Sequence, residues 1–413
     1  MTLLIAVAPI LAQDCPVNLT QMMTRAIRAC KELERNTACY GNGQLSIGIS
    51  PVYDDPDTVF ANSGDQLPIA ALSMIDAGGS PVAADTWGIA RLEVQANLLA
   101  EQPARSSTLW LIGDATIQNL VPPLPELTAT AIGTLNLRVS AATDADIIQQ
   151  LTLRQKAIAN GRTSDNRWLR VFVPRTETIA WASMEVIELN GDINTLDVVT
   201  PETSFYRPFQ IINLTSGTSD SPCGGVPDSG LLIQTPNEIQ KVVFIVNGAT
   251  LYLTGTVFMQ SAGAAADAPL TINVLNGQVI VENADHSVSQ TIPAGARTQV
   301  TDSVPVAAEP YISADFDALP ITALPFTFEL PAPLTLEQIQ LVLNPPVTPT
   351  PLSPEPDLHP RCIRTLLQQS NLRGGPADFY EVVGELREGS RIIAVYQSTD
   401  ADGYIWWQVR SGG

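Results

Sequence analysis

The chain supplies few of the side chains that most often act as bases or Schiff-base amines: two histidines, His286 and His359, and three lysines, Lys31, Lys156 and Lys241, in 413 residues. His286 sits in ENADHSVSQ, a polar turn between strands, where a solvated turn residue is the expected role. Cys223 acting as a nucleophile with His286 as its base has no motif around it, because CGGVPDSG reads as a disulfide-bearing loop. HExxH, GxSxG, GxxxxGK and GxGxxG are absent, so zinc-protease, hydrolase-elbow and nucleotide readings lack their minimal parts. The turn Asp400 to Gly403 has two carboxylates but not the ligand series of an EF-hand. No catalytic residue, metal site or cofactor is expected, and the chain reads as a non-enzyme.

Side chains suited to binding gather near the C-terminus. Phe379, Tyr380, Tyr404 and Trp406 lie in or beside loops, where rings stack on sugars or peptides, and Arg373 can meet a carboxylate. Trp406 and Trp407 alternate faces on one strand, so one fills a small core while its neighbour is open to ligand.

The five cysteines (Cys15, Cys30, Cys39, Cys223, Cys362) fit an exported protein and show no CxxC spacing for zinc or redox chemistry. Leu19, Met22, Met23, Ala26, Ile27 and Cys30 recur at helical spacing, followed by the turn-like NTACYGNG. A helix places Cys15 about 20 Å from Cys30, beyond disulfide reach, whereas Cys39 folds back across the turn. Cys30 with Cys39 is the expected bridge. Cys15 then pairs across domains, with Cys223, or stays free, and Cys362 is the odd thiol; isolated buried thiols are the alternative.

Acidic residues number 42 against 22 basic ones, and the net charge of −20 repels nucleic acid and anionic lipid surfaces alike. The apolar stretch Leu3 to Ala12 is too short to span a bilayer and reads as the core of a signal peptide, although no Lys or Arg precedes it; a short buried strand is the other reading. No stable membrane span is expected in the mature chain, and the location is secreted, extracellular or cell-envelope.

The elements that position these residues are mostly strands: runs of Val, Ile, Thr and Leu at period two, broken by Gly, Pro, Asn and Asp. The expected fold is mainly β, several small β modules with one short N-terminal helical hairpin. Self-comparison exposes a repeat, Asn136 to Ala159 against Asn371 to Ala394, at a constant offset of 235 residues. After a three-residue difference, Trp168, Leu169 and Val171 fall against Trp406, Trp407 and Val409. Each copy suits a small barrel with Leu137 or Leu372 pointing inward. An Asn-Gly at 276 and 277 marks a hairpin turn. Residues 345–360 hold seven prolines in sixteen positions and read as a semi-rigid linker.

The second copy, from NLRGGPADFYEVVGEL through GSRIIAVYQSTDADGYIWWQV, resembles the bacterial Src-homology-3 type (SH3b) domain, which implies binding of cell-wall peptides or glycans, or positioning of a neighbouring enzyme. The first copy has Val139 and Ser140 where Gly374 and Gly375 stand and Ala145 where Tyr380 stands, so it reads as scaffold. It continues into IAWASMEVIEL, with Trp181 in the closing strand, whereas the second copy stops at Gly413 and reads as lacking that strand. Val274, Gly277, Val279, Val281 and the Pro293 to Gly295 turn resemble the FecR-like β domain, and Trp87 to Asn119 has similar texture.

The expected order is a signal peptide (1–13), a Cys-bearing helical segment (14–45), a β module, diverged FecR-like (46–133), a degenerate SH3b-like domain (134–190), a connector (191–222), a FecR-like domain (223–344), the linker (345–360) and an SH3b domain (361–413). The expected function is an exported, non-enzymatic binding or adhesion protein whose last module recognises a cell-wall peptide or glycan or another extracellular polymer of the peptidoglycan type. The alternatives are the targeting region of a cell-wall hydrolase, such as an NlpC-type cysteine peptidase beyond Gly413, and a FecR-like envelope sensor.

Overall fold

Successive strands with one apolar face remove that face from water by packing two sheet layers together. In the computed structural model the described residues are 19–50, 59–78, 87–95, 106–125, 127–201, 203–217, 229–236, 241–261, 268–313, 319–343, 362–373, 382–399 and 405–411. The apolar stretch at 3–12, Cys15, Cys223, the linker 345–360, Phe379, Tyr380 and Tyr404 lie outside them. The chain divides into two units, 1–345 and 346–413.

Helix α1 (Leu19–Ala29) buries Met22, Met23 and Ala26 against Trp87 and Ile89 of the sheet beneath. Cys30 follows its last turn and is bonded to Cys39, nine residues on, with the Cα atoms 5.7 Å apart. The segment read as a helical hairpin is therefore a helix, a bridged turn and a strand. Among the described residues no helix is long and apolar enough to cross a membrane.

The molecule is mainly β. The first strands are β1 (Thr37–Asn42), β2 (Ser46–Ile49), β3 (Gln66–Pro68), β4 (Leu72–Ala77), β5 (Ile89–Gln95), β6 (Ser106–Ile112) and β7 (Ala115–Asn119). A second group comprises β8 (Thr128–Ala131), β9 (Leu135–Arg138), β10 (Ile147–Leu151), β11 (Lys156–Arg162), β12 (Trp168–Val173), β13 (Thr178–Ser183) and β14 (Ile187–Leu189). Then come β15 (Ile211–Ser216), β16 (Gly230–Gln234), β17 (Val242–Val246), β18 (Ala249–Ser261), β19 (Leu270–Glu282), β20 (Ser289–Pro293), β21 (Ala296–Thr301), β22 (Val304–Pro305) and β23 (Glu309–Pro310), with helix α2 (Leu336–Leu343) after them. The first and third groups form one sixteen-stranded network. Segments 46–133 and 223–344, read from the sequence as separate β modules, thus share a sheet. The segment 191–222, read as a connector, supplies β15, which lies between β7 and β17.

The long ribbon of β18 and β19 makes this network two-layered. The first half of β18 pairs with β17 and its second half with β16, while β19 pairs with β21 at one end and β20 at the other. The ribbon changes layer at Gly255 and Gly277, which stand opposite each other. The Asn276-Gly277 dipeptide read as a hairpin turn is therefore inside β19, next to the bulge between Thr256 and Val257. Gly277 adopts φ 70°, and a Cβ there would lie 1.9 Å from the Thr254 carbonyl oxygen, so this position serves a bend and a close backbone approach. The hairpin turn is instead Asn247-Gly248, where φ of 48° and 80° gives the left-handed pair that a two-residue β-turn needs.

Alternation along the strands builds the core. Leu109, Leu111, Leu231, Ile233, Val257 and Met259 of one layer join Ile117, Leu214, Phe244, Leu251, Val279 and Val281 of the other in one buried cluster. The intervening Trp110, Leu232 and Phe258 point outward, where α1 and Tyr311, Leu319 and Leu324 cover them. Burying each such large side chain contributes about 1.5–3 kcal/mol. Under the end of α1, Arg91 donates to the Cys30 carbonyl at 2.8 Å and to Glu93 at 2.7 Å, and Thr108 and Ser106 also donate to Glu93, so this buried ion pair is hydrogen-bonded throughout.

The second group of strands is a module of its own, an antiparallel sheet in the order β10-β9-β13-β12-β11-β8-β14 around buried Leu135, Leu137, Leu169 and Val171. The last unit contains β24 (Cys362–Thr365), β25 (Ser370–Arg373), β26 (Val382–Leu386), β27 (Arg391–Thr399) and β28 (Ile405–Ser411). Its pairings repeat those of the module. Arg138↔Ile147 and Leu137↔Gln149, with Ile148 bulged between, recur as Arg373↔Val382 and Leu372↔Gly384 around Val383. Ala159↔Val171 and Gly161↔Arg170 around Asn160 recur as Ala394↔Val409 and Tyr396↔Gln408 around Val395. Lys156↔Thr130 recurs as Arg391↔Thr365, which extends the repeat to β8 and β24, upstream of the sequence match. Leu137 is fully buried, whereas Leu372 is half-buried.

Candidate functional site

Arg373 ends β25 at the bulge opposite Val382, and Trp406 lies in β28 opposite Ser398. β25 belongs to a two-stranded sheet and β28 to a three-stranded one, so no strand pairing among the described residues brings the two together. In the first copy β13 does this. Trp181 on β13 pairs with Arg138 on one side and with Arg170 on the other, and its ring packs with Trp168 and Val199. The residues that match Arg138, Trp168 and Arg170 in the second copy are Arg373, Trp406 and Gln408.

A second concave feature lies on the sandwich, on the outer face of the layer that contains β17 and the first half of β18. It is an open groove of about 390 Å³, with Val243 and Ile245 of β17 and Thr250 and Tyr252 of β18 along its floor. Ser204 and Tyr206, in the segment that leaves the first module, form one wall, and Ala284 and His286 in the turn after β19 form the other. These residues alternate with Phe244, Leu251 and Leu253, which point into the core.

Two turns hold the walls. Asn247 of the β17–β18 turn exchanges side-chain hydrogen bonds with the backbone of Leu214, at 2.7 and 3.0 Å. In the turn after β19, Asn283 accepts from the Val288 N–H at 2.9 Å and Asp285 accepts from the Ser287 hydroxyl at 2.7 Å. His286, with φ 58°, then sets Nδ1 2.7 Å from Glu282 Oε2.

That contact is the main cause holding the Glu282 carboxyl below its usual range, with hydrogen bonds from Tyr252 and Ser289 adding to it. Burial, and then the charge of Glu282, pushes the Tyr252 hydroxyl up. Glu282 is therefore an acceptor and Tyr252 a donor at neutral pH. The Lys241 ammonium sits 3.6 Å from the centroid of the Tyr252 ring. The arrangement offers rings and hydroxyls to a ligand.

Sequence reasoning treated His286 as a solvated turn residue and did not single out Tyr206 or Tyr252. A usable signal was present: Thr250 and Tyr252 stand at the non-core positions of TLYLTGTV, and a ring placed outward on a strand marks a face with something to hold. What was not readable is that residues 204–206 return over that strand. Among the described residues, no group of three or more His, Cys, Asp or Glu is placed to hold a metal ion. Comparison of the chain with protein-family models, curated proteins and solved structures gives no match.

Proposed function

We propose that this is an exported, non-enzymatic binding protein whose C-terminal copy, an SH3b-type module, recognises a cell-wall peptide or glycan. The observation that carries the reading is the shared register of the two copies, down to bulges at equivalent positions, which supports their being two copies of one module, so that a resemblance carried by the second applies to both. The copies differ where a ligand would enter. In the first copy Val139, Ser140 and Ala145 stand where the second has Gly374, Gly375 and Tyr380, so the first copy is scaffold; the second has Arg373 and Trp406 with Phe379, Tyr380 and Tyr404, and these supply the carboxylate partner and the stacking rings. The Cys30–Cys39 disulfide is consistent with an oxidising compartment.

The test is co-sedimentation of the full chain with purified, protein-free cell wall. The chain should pellet with the wall, and Trp406→Ala should stay in the supernatant while its sandwich unfolds at the unchanged temperature. A chain that remains soluble beside the wall refutes the reading.

A further inference from the structure

We propose that the groove floored by Thr250 and Tyr252 is a second ligand site, for a short neutral saccharide, separate from the C-terminal copy. It goes beyond the wall-binding reading, which places no ligand on the sandwich.

The two layers differ in how their outer faces are used. One is closed by α1 and by Tyr311, Leu319 and Leu324, whereas the other carries an open concavity of about 390 Å³. That volume lies at the small end of ligand sites, which run from about 300 to 1,000 Å³. The lining matches the two-sided chemistry of a sugar. Tyr206 and Tyr252 present ring surface to the C–H face of a pyranose, while Ser204 and Thr250 add hydroxyls that both donate and accept. His286, on the facing wall, adds a ring nitrogen that can hydrogen-bond a sugar hydroxyl.

Charge selects against the other ligands of similar size. Glu282 is held ionised and the Lys241 ammonium sits over the Tyr252 ring, so charges of opposite sign border the groove and give a phosphate or carboxylate no net attraction. Two of the groove's borders are fixed before a ligand arrives: the Asn247–Leu214 bonds tie the β17–β18 turn to β15, and the Asn283 and Asp285 bonds hold the turn that carries His286. Ordering costs on binding are correspondingly small.

The experiment is a calorimetric titration of the full, disulfide-intact chain with N-acetylglucosamine trimer, and with glucose 6-phosphate as the anionic comparison. Saturable binding of the trimer and none of the phosphate is expected. Tyr206→Ala should weaken it about tenfold, the loss of one stacking ring. Tyr206→Phe, which keeps the ring, should bind within about threefold of the parent, so a folding defect and a lost contact are told apart. In the Arg373→Ala chain a saturable trimer site should remain, and adding Tyr206→Ala to that chain should weaken it about tenfold, which separates the groove from wall binding. The proposal is overturned by no saturable binding of the trimer, by preference for the phosphate, or by binding that survives Tyr206→Ala and is lost in Arg373→Ala.

Discussion

Gly255 stands directly opposite Gly277 where the β18–β19 ribbon passes from one layer to the other, and both residues hold positive φ, 110° and 70°. A Cβ at Gly277 would lie 1.9 Å from the Thr254 oxygen, and one at Gly255 would lie 2.3 Å from the Asn276 oxygen. Side chains at either position force the two backbones apart at the bend. Gly277→Ala should lower stability by about 2–3 kcal/mol, the sum of left-handed strain and the steric clash, read as a lower urea midpoint with an unchanged slope. A variant as stable as the parent would mean that the bend does not depend on this crossing.

The same pair marks the limit of what sequence pattern conveys. Asn247-Gly248 and Asn276-Gly277 are the same dipeptide between period-two runs, yet one is a hairpin turn and the other a bend inside a strand. What separates them is the partner, Leu214 for Asn247 and Gly255 for Gly277, and partners are not local information. Strand existence was legible because alternation is local; so was the Cys30–Cys39 bridge, whose two ends lie nine residues apart. The merging of β7 with β15 was not, since neither strand's sequence says whose edge it joins. Phe379, Tyr380 and Tyr404 fall outside the described residues, and the groove escaped notice because Tyr206 and Tyr252 are brought together across 46 residues.

Arg207 joins the first module to the sandwich. Its guanidinium lies 4.6 Å from the Phe172 ring centroid, donates to Gln95 at 2.7 Å and to the Glu177 carbonyl, and burial pulls its pKa down to about 10, so it remains charged at neutral pH. Arg207→Met should take its donor from the Glu177 carbonyl, leave Gln95 Oε1 only the 3.3 Å bond from Asn36, and destabilise the chain by about 2 kcal/mol. Calorimetry should show the β8–β14 module melting earlier than the sandwich. A single unshifted transition would argue against this joint.

The nine-residue Cys30–Cys39 separation makes a short covalent loop, for which loop entropy gives about 2–3 kcal/mol. The double variant Cys30→Ser with Cys39→Ser should lose about that much stability. Alkylation of the parent without reductant, followed by intact-mass measurement, should leave both residues unlabelled.

Glu282 carries the pH dependence of the groove. It faces His286, Tyr252 and Ser289, and its carboxyl is held below the ordinary value of 4.5 chiefly by the His286 hydrogen bond. A depressed carboxyl contributes stability above its unfolded value and loses that contribution as the pH falls through the folded one. The turn at 283–288 should therefore loosen only in acid, below the ordinary carboxylate range. His286→Ala should raise the Glu282 titration midpoint toward the ordinary value, measured by carboxyl-carbon NMR; an unmoved midpoint would remove His286 as the cause.

The division of labour between the two copies is most directly tested by the dissociation constant of the full chain for purified cell wall, compared between Arg373→Ala and its register-matched counterpart Arg138→Ala. A hydrogen-bonded charge contact contributes about 1.5–3 kcal/mol, so Arg373→Ala should weaken binding by about tenfold or more, and Arg138→Ala should bind as the parent does. Equal losses in both variants, or a loss in Arg138→Ala alone, would contradict the assignment of the ligand to the C-terminal copy.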